Sequence, residues 1–256
     1  MGPAMRRLIA FACEGASLLG TLDEATGSTG ILIVSGGNEP RMGAHRGMTM
    51  LAIRLAARGH PVFRYDRRGI GDSQGANGGW QSAAPDLAAA AAIFRAAAPQ
   101  VTRLIGFGNC DAATTLALYG RAAGIDRVVL ANPWLGKDED ALPPAAAIRR
   151  HYAQRLFSPA TWWRLARGGI DRTRLRAGLV KLWRSPTPPL SDRVMRAIAG
   201  WGADASILLA EGDATAIGFQ AATRRHRFAT GYVATASHSF AGHPQAVDAA
   251  ILSALA

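Results

Sequence analysis

Short apolar runs alternate with segments of helical spacing along most of the chain, and this alternation constrains the fold more than any other feature. Two of the runs are GILIV at 30–34 and RLIGFG at 103–108, and each leads into a glycine-containing turn. Helical spacing follows at residues 48–60, and an alanine-rich helix is expected at 84–98. Strands that alternate with helices predict a mostly parallel sheet with helices on both faces.

The stretch 135–201 departs from this alternation. It holds two proline clusters and three tryptophans, Trp162, Trp163 and Trp183. Helical spacing dominates between the prolines, which predicts a helical insertion between two strands of the sheet. We therefore predict a core formed by residues 1–134 and 202–256 and a helical lid formed by 135–201.

The net charge of +11 is concentrated in the same stretch. Twelve of the 29 Lys and Arg residues, but only two Asp, lie between Arg149 and Arg196. Such a segment is either a solvated helical face or a field that attracts anions, such as phosphates, a nucleotide-bearing thioester or acidic lipid headgroups. No nucleic-acid-binding motif accompanies the charge, so we expect no nucleic-acid partner.

Several sequence features favour the cytoplasm. No apolar run reaches the roughly 18 residues that a membrane-spanning helix needs. The acidic Glu14 interrupts the N-terminal apolar stretch, which argues against a signal peptide. The two cysteines lie far apart and do not form a disulfide framework. No spacing of His or Cys indicates a metal site, and we expect no cofactor.

Residues 104–115 read LIGFGNCDAATT and place a cysteine where a strand gives way to a helix. The pattern from Gly108 to Ala112 is typical of a nucleophile elbow, a sharp turn that needs small residues two positions before and after its centre. It would place Cys110 at a helix N-terminus, whose dipole favours thiolate over thiol. The alternative is a buried structural cysteine. Cys13 has no glycine-flanked turn, and we interpret it as an inert residue of the core or the surface.

An acid and a histidine follow later strands in the order that such a nucleophile requires. LLAEGDATA places Asp213 after a strand, and ASHSF places His238 after the next. His238 would take the thiol proton, and Asp213 would fix its tautomer. Glu211 and His243 are the alternatives for these roles. Asp204 precedes its strand, so it should lie at the opposite edge of the sheet.

An acyl-transfer site also needs two preorganised donors for the oxyanion. The backbone N–H of Asp111 follows the candidate nucleophile directly and would supply one donor. The other should come from the loop after the first central strand, SGGN at 35–38. Within it, Gly37 and Asn38 are the two candidates.

Three blocks carry a resemblance to a known superfamily: SGGN at 35–38, DRRGIGDS at 66–73 and GNCDA at 108–112. They resemble the α/β-hydrolase superfamily over nearly the whole chain. More narrowly, SGGNEPRMGAHRGM, YDRRGIGDSQG and GNCDAA resemble the exosortase A system-associated hydrolases, in the type-1 group with a cysteine nucleophile. The resemblance implies an α/β-hydrolase fold and a cytoplasmic role in exopolysaccharide or envelope assembly. In the middle block we expect Arg68 and Asp72 to pair.

The sequence departs from the common superfamily pattern in the same blocks. Cys110 stands where serine is usual, Ala112 replaces the second glycine of the elbow, and Ser35 replaces a frequent histidine. The cysteine counts against ordinary esterase activity, because an acyl-cysteine is a thioester and readily passes its acyl group to acceptors other than water.

Together these residues predict an acyl hydrolase that acts on a small-molecule ester or thioester. The alternatives are an acyltransferase with a hydroxyl acceptor and an inactive binding protein of the same fold. Trp162, Trp163 and Trp183 would line an acyl channel in the lid or pack on the sheet. The basic segment favours an anionic substrate, and peripheral contact with an anionic membrane is the other interpretation.

Overall fold

The computed structural model describes residues 5–136, 189–224 and 226–255. They form a single eight-stranded sheet with these strands: β1 Arg6–Cys13, β2 Ala16–Asp23, β3 Thr29–Val34, β4 Val62–Tyr65, β5 Arg103–Asn109, β6 Arg127–Ala131, β7 Ala205–Ala210 and β8 Thr230–Val233. The α-helices in the described residues are α1 Gly47–Ala57, α2 Ala83–Ala97, α3 Asp111–Tyr119, α4 Leu190–Trp201, α5 Ala214–Thr223 and α6 Pro244–Ser253.

The strand order is β1-β2-β4-β3-β5-β6-β7-β8. Strands β3 to β8 run parallel, whereas β1 and β2 are antiparallel to each other and β2 is antiparallel to β4. The prediction of a mostly parallel sheet flanked by helices is confirmed. Because the parallel strands share a direction, the loops that follow their carboxyl ends meet at one edge of the sheet.

Apolar side chains cover both faces of the sheet. On one face, Leu51 and Leu55 of α1 and Ile251 of α6 pack into a core with side chains of the central strands. On the other face, Phe94 of α2 stacks on Phe63 of β4 with ring centroids 5.6 Å apart. Full burial of one such side chain is worth about 1.5–3 kcal/mol, so this packing fixes the strands whose ends carry the site.

The chain divides into two compact units, one formed by Met1–Leu135 with Arg193–Ala256 and the other by Gly136–Asp192. The sheet and all the site residues described below belong to the first unit. Most of the predicted lid 135–201 lies at 137–188, outside the described residues, so the lid stays a prediction. The last part of that range lies in α4, where buried Trp201 donates from Nε1 to the Ala117 carbonyl at 2.9 Å.

Two elements were not predicted from the sequence. The first is the hairpin of β1 and β2, in which Leu8 is 66% exposed and only Phe11 and Cys13 of β1 are buried. The second is α5, which buries only Ala216 and Phe219. β1 holds an apolar run, LIAFAC at 8–13, but a second strand rather than a helix follows it, so the hairpin falls outside the alternation of strands and helices. Helix α5 has no wide apolar stripe. In the described part of the chain, no helix has the length and apolar character that would let it cross a membrane.

Candidate active site

Cys110 occupies a strained turn between β5 and α3. Its backbone has φ 60° and ψ −126°, a conformation that costs energy for any residue other than glycine. A Cβ on Gly108 would lie 2.9 Å from the main-chain carbonyl carbon of Ala112, so the turn has no room for a side chain there. The structure therefore has the sharp strand-to-helix turn that the sequence pattern predicts, with the half-buried Cys110 at its centre.

Asp213 and His238 lie together at the same edge of the sheet. Asp213 caps α5, and its Oδ2 accepts a hydrogen bond from the backbone N–H of Ala216 at 3.0 Å. Its Oδ1 lies 3.0 Å from Nδ1 of His238. Since an ionised carboxylate only accepts, the proton of a neutral imidazole belongs on Nδ1, and Nε2 is left as the basic nitrogen.

The alternatives for the acid and the base have other surroundings. Glu211 is exposed, and His243 lies at the N-cap position of α6. Asp204 precedes β7 and accepts from Arg121 Nη2 at 2.7 Å, at the opposite edge of the sheet. Among the carboxylates considered, Asp213 is the one bonded to His238.

Cys110 and His238 are linked through the backbone rather than by direct contact. In residues 5–136, 189–224 and 226–255, no hydrogen bond joins Sγ of Cys110 to the imidazole. The residue before the cysteine, Asn109, donates from Nδ2 to the carbonyl of His238 at 2.9 Å. Catalytic hydrogen bonds are often longer before substrate binds and tighten in the complex.

Burial raises the pKa of the Cys110 thiol from 9.0 to about 11. The negative charge of the adjacent Asp111 acts in the same direction, as do the smaller effects of Asp213 and Glu39, while the backbone N–H of Asp111 opposes them. The helix N-terminus was expected to favour thiolate, but burial and the nearby carboxylates outweigh it. At neutral pH the resting residue is a thiol, so attack on a carbonyl requires a base.

The loop after β3 is held tightly against the elbow. A Cβ on Gly36 would lie 2.4 Å from the Asn109 carbonyl oxygen, so only glycine fits there. The next residue, Gly37, donates its N–H to Oδ1 of Asp111 at 2.5 Å. Arg67, which is 4% exposed, binds both sides of this contact: it lies 3.3 Å from Asp111 Oδ2 and donates to the Gly37 carbonyl.

The three candidate oxyanion donors, the backbone N–H groups of Asp111, Gly37 and Asn38, differ in whether an acceptor already binds them. Asp111 begins α3, and within 5–136, 189–224 and 226–255 no main-chain carbonyl accepts from its backbone N–H. The N–H of Gly37 is taken by the Asp111 carboxylate in this state. The N–H of Asn38 has no acceptor within the described part of the chain, and its side-chain Oδ1 accepts from Nδ2 of Asn77 at 2.9 Å.

The predicted pairing of Arg68 with Asp72 is wrong. Asp72 binds Nη1 of Arg41 at 2.9 Å, and the same guanidinium binds the fully buried Asp66. Arg68 instead binds Asp86, with Nε 2.6 Å from Oδ1, and also Glu14. The cause is tertiary: β2, the loop after β3 and the helix α2 bring these partners together, whereas sequence proximity suggested a local pair.

Other predicted residues fall outside what the structure describes, and some site residues were not foreseen. Trp162, Trp163 and Trp183 lie at 137–188, outside the described residues, so their roles stay predictions. Sequence reasoning missed the part played by Arg67 and by Asn132, which follows β6. The signal that could have found them is position, because both follow parallel strands at the edge where the site lies.

Among the described residues, no group of three or more His, Cys, Asp or Glu is arranged to hold a metal ion.

The parallel sheet, the strained elbow after β5, and an acid and a histidine after β7 and β8 together define an α/β-hydrolase enzyme. A sequence profile of the serine aminopeptidase S33 family (Hydrolase_4) matches residues 30–180. That range is more than half of the chain, so the chain belongs to this family. The family is described by its serine, and this chain has Cys110 in the elbow.

Solved structures agree with this fold. The esterase Pf2001 of Pyrococcus furiosus aligns with a TM-score of 0.65 at 13% identity, over 98% of this chain and 90% of its own. The α/β-hydrolase GrgF from Penicillium sp. sh18 aligns at 0.63 and 18% identity, over 98% of each chain. XC6422 from Xanthomonas campestris, a serine hydrolase without a lid, aligns at 0.60 and 15% identity, over 100% of this chain and 95% of its own. At these identities the likeness shows the fold alone. No curated protein sequence matches the chain.

The charge of Asp111 can be tested through the reactivity of Cys110. Asp111→Asn should lower the pKa of Cys110, because it removes the largest electrostatic cause of the upward shift and keeps an oxygen for the Gly37 N–H. Each unit of lowering gives roughly tenfold more thiolate at pH 8. Iodoacetamide should therefore alkylate Cys110 several-fold to tenfold faster in the variant, as followed by mass spectrometry of the peptide that contains it.

The pH dependence has a definite sign. Only thiolate is alkylated, so the wild-type rate should keep rising as pH approaches about 11, and the Asp111→Asn profile should lie at lower pH. Asp72→Asn is the matched control, since it also removes one carboxylate from a neighbouring loop but does not contribute to the shift at Cys110. Equal rates in wild type and Asp111→Asn would contradict the electrostatic explanation.

Proposed function

We propose that the protein is an acyl hydrolase that cleaves a small-molecule ester or thioester through an acyl-cysteine intermediate. The observation that carries the proposal is the Asp213–His238 pair, 3.0 Å apart, at the sheet edge where Cys110 occupies a strained elbow. This arrangement supplies a nucleophile, a base and an orienting acid from three different strand ends.

In the first half of the reaction, Sγ of Cys110 attacks the substrate carbonyl and Nε2 of His238 takes the thiol proton. The oxyanion is held by the backbone N–H of Asp111 and by a donor of the loop after β3. Asn38 N–H has no acceptor among the residues that the structure describes, which suits it to this role. Gly37 N–H becomes available if the Asp111 carboxylate moves toward Arg67. The bond to the leaving group then breaks, and the leaving alcohol or thiol receives the proton from His238.

In the second half, water attacks the acyl-cysteine. His238 takes a proton from the water, the tetrahedral intermediate collapses, and Cys110 leaves as thiolate and is reprotonated by His238. The carboxylic acid is released and the thiol is restored. Asp213 stays ionised throughout and stabilises the imidazolium that forms in each half.

The cellular role is a separate part of the proposal. The resemblance of the SGGNEPRMGAHRGM, YDRRGIGDSQG and GNCDAA blocks to the exosortase A system-associated hydrolases supports a cytoplasmic enzyme of exopolysaccharide or envelope assembly. An anionic acyl thioester as substrate follows from the basic residues between Arg149 and Arg196, which lie largely outside the described part of the chain.

Intact-protein mass spectrometry tests the proposal. Wild-type and Cys110→Ser proteins are mixed with a panel of acyl esters and acyl thioesters, and the mass is followed over time. We expect a covalent acyl adduct on Cys110 that water removes. An adduct that persists until a hydroxyl acceptor is added would replace hydrolysis by acyl transfer. No adduct with any donor would overturn the enzymatic proposal and favour a binding protein.

A further inference from the structure

Two buried asparagines lie beneath the catalytic edge. Asn109 is the last residue of β5 and Asn132 directly follows β6, and they are 9% and 0% exposed. Buried amide side chains are costly unless both their donors and their acceptor are bonded. Their bonds therefore show what the two residues hold in place.

Both side chains donate to the same main-chain oxygen. The Nδ2 groups of Asn109 and Asn132 donate to the carbonyl of His238 at 2.9 and 3.1 Å. Nδ2 of Asn132 also donates to Oδ1 of Asn109 at 3.2 Å, and its own Oδ1 accepts from the N–H of Ala210 at 2.9 Å. A carbonyl oxygen has two lone pairs, so the His238 carbonyl is fully occupied.

This network ties together the strand ends that carry the proposed catalytic residues. Asn109 precedes Cys110, Ala210 ends the strand that leads to Asp213, and the held carbonyl belongs to His238 itself. The three interacting residues lie at the end of β5, directly after β6 and in the loop after β8, and they are separated by up to 129 residues in sequence. The amides thus fix the loop of His238 against the strand of Cys110.

The backbone at position 132 explains why asparagine is found there. Asn132 has φ 40°, in the left-handed region that asparagine tolerates better than most residues. Its own N–H donates to the Leu208 carbonyl at 2.9 Å. Aspartate would keep the acceptor for Ala210 but lose both donors, and an apolar side chain would lose all the bonds.

We propose that Asn109 and Asn132 are positioning residues that set the place of the His238 imidazole relative to Cys110 by clamping the His238 main-chain carbonyl. The proposal rests on the proposed function of Cys110 and His238. Neither asparagine needs to touch substrate; they act through the histidine.

The test is a double-mutant cycle between position 132 and the histidine. Asn132→Ala should lower kcat with a much smaller change in KM, by roughly 10²-fold, because a displacement of about 1 Å at a catalytic group costs that much. In a His238→Ala background, Asn132→Ala should lower the residual rate no further. A loss of equal size in both backgrounds would overturn the positioning role and leave only structural support.

A control variant and a second readout complete the test. The control separates positioning from a general loss of stability, and the readout does not depend on turnover. Val129→Ala is the matched control, since it truncates a buried residue of the same strand without a bond to His238, and it should leave kcat close to wild type. Amide hydrogen exchange of residues 236–240 should quicken in Asn132→Ala and stay unchanged in Val129→Ala. Unchanged exchange in both would contradict the clamp.

Asn109→Ala is the second variant, and it carries the same test if Asn132→Ala does not fold. Like Asn132→Ala, it removes one of the two donors to the His238 carbonyl, but it leaves the bond between Asn132 Oδ1 and the Ala210 N–H in place. Its loss of kcat should therefore be smaller and should also vanish in the His238→Ala background. The single variant His238→Ala reports on the proposed function by itself. If His238→Ala keeps wild-type activity, both proposals are wrong. If His238→Ala is inactive but Asn132→Ala causes an equal loss in both backgrounds, only the positioning role is wrong.

Discussion

Cys110→Ala should lose the hydrolysis of acyl esters and thioesters by about 10⁴-fold or more, because it removes the proposed nucleophile and leaves only the oxyanion donors and substrate binding. The loss should lie in kcat, since Cys110 forms a bond to substrate only after binding. Tm should change little, because the side chain is half-buried and its sulfur accepts only a weak hydrogen bond, from the backbone N–H of Asp111. Steady-state kinetics and thermal unfolding of the purified variant provide the measurement.

Cys13 provides the matched control for this loss. It is the other cysteine, it is 5% exposed, and its Sγ donates to Asp86 Oδ1 at 3.4 Å. It lies on the edge strand β1, and three strands separate β1 from β5, which leads to Cys110. Cys13→Ala should therefore keep wild-type turnover. If Cys110→Ala were active and Cys13→Ala inactive, the assignment of the nucleophile would have to be abandoned.

Asp213→Asn should lower kcat by roughly 10³- to 10⁴-fold while the shape of the site is preserved. The carboxylate accepts from Nδ1 of His238, and an amide nitrogen at that place would favour the tautomer with the proton on Nε2. Nε2 could then no longer take the thiol proton of Cys110. The cap of α5 keeps an oxygen for the Ala216 N–H, so the free energy of unfolding should fall by about 1 kcal/mol or less.

The neighbouring acid Glu211 provides a matched control for Asp213→Asn. Glu211→Gln removes one carboxylate from the same loop, but its side chain is exposed and is not bonded to His238. Its kcat should stay within a few-fold of wild type. A large loss in Glu211→Gln together with near-normal turnover in Asp213→Asn would reverse the assignment of the orienting acid.

The parts of this fold that could be predicted are those with a local signal. Runs such as GILIV and RLIGFG are apolar throughout because both faces of a parallel strand are covered, and the helices after them show their spacing directly. The β1–β2 hairpin was not predicted because its apolar run, LIAFAC at 8–13, is followed by a second strand rather than by a helix. Helix α5 escaped because it buries two residues and has no broad apolar stripe.

The site residues with a local motif could likewise be predicted, whereas those that depend on distant partners could not. The elbow of Cys110 and the order of Asp213 and His238 could be predicted, since each depends on a short motif at a strand end. The roles of Arg67 and Asn132 depend on partners far away in sequence, at Gly37 and His238, and only the folded sheet brings them together. The thiol state of Cys110 could not be predicted either, because it depends on burial and on where nearby carboxylates point.

The proton that Cys110 keeps at rest also decides which chemical probes can label this enzyme. Haloacetamides and other reagents that need a thiolate meet a nucleophile whose pKa is about 11, and they should label it slowly at neutral pH. Probes with an electrophilic carbonyl would allow His238, the proposed base, to remove the proton as the bond forms. Activity-based profiling of this cysteine is thus better served by reagents designed for serine hydrolases than by those designed for reactive thiols.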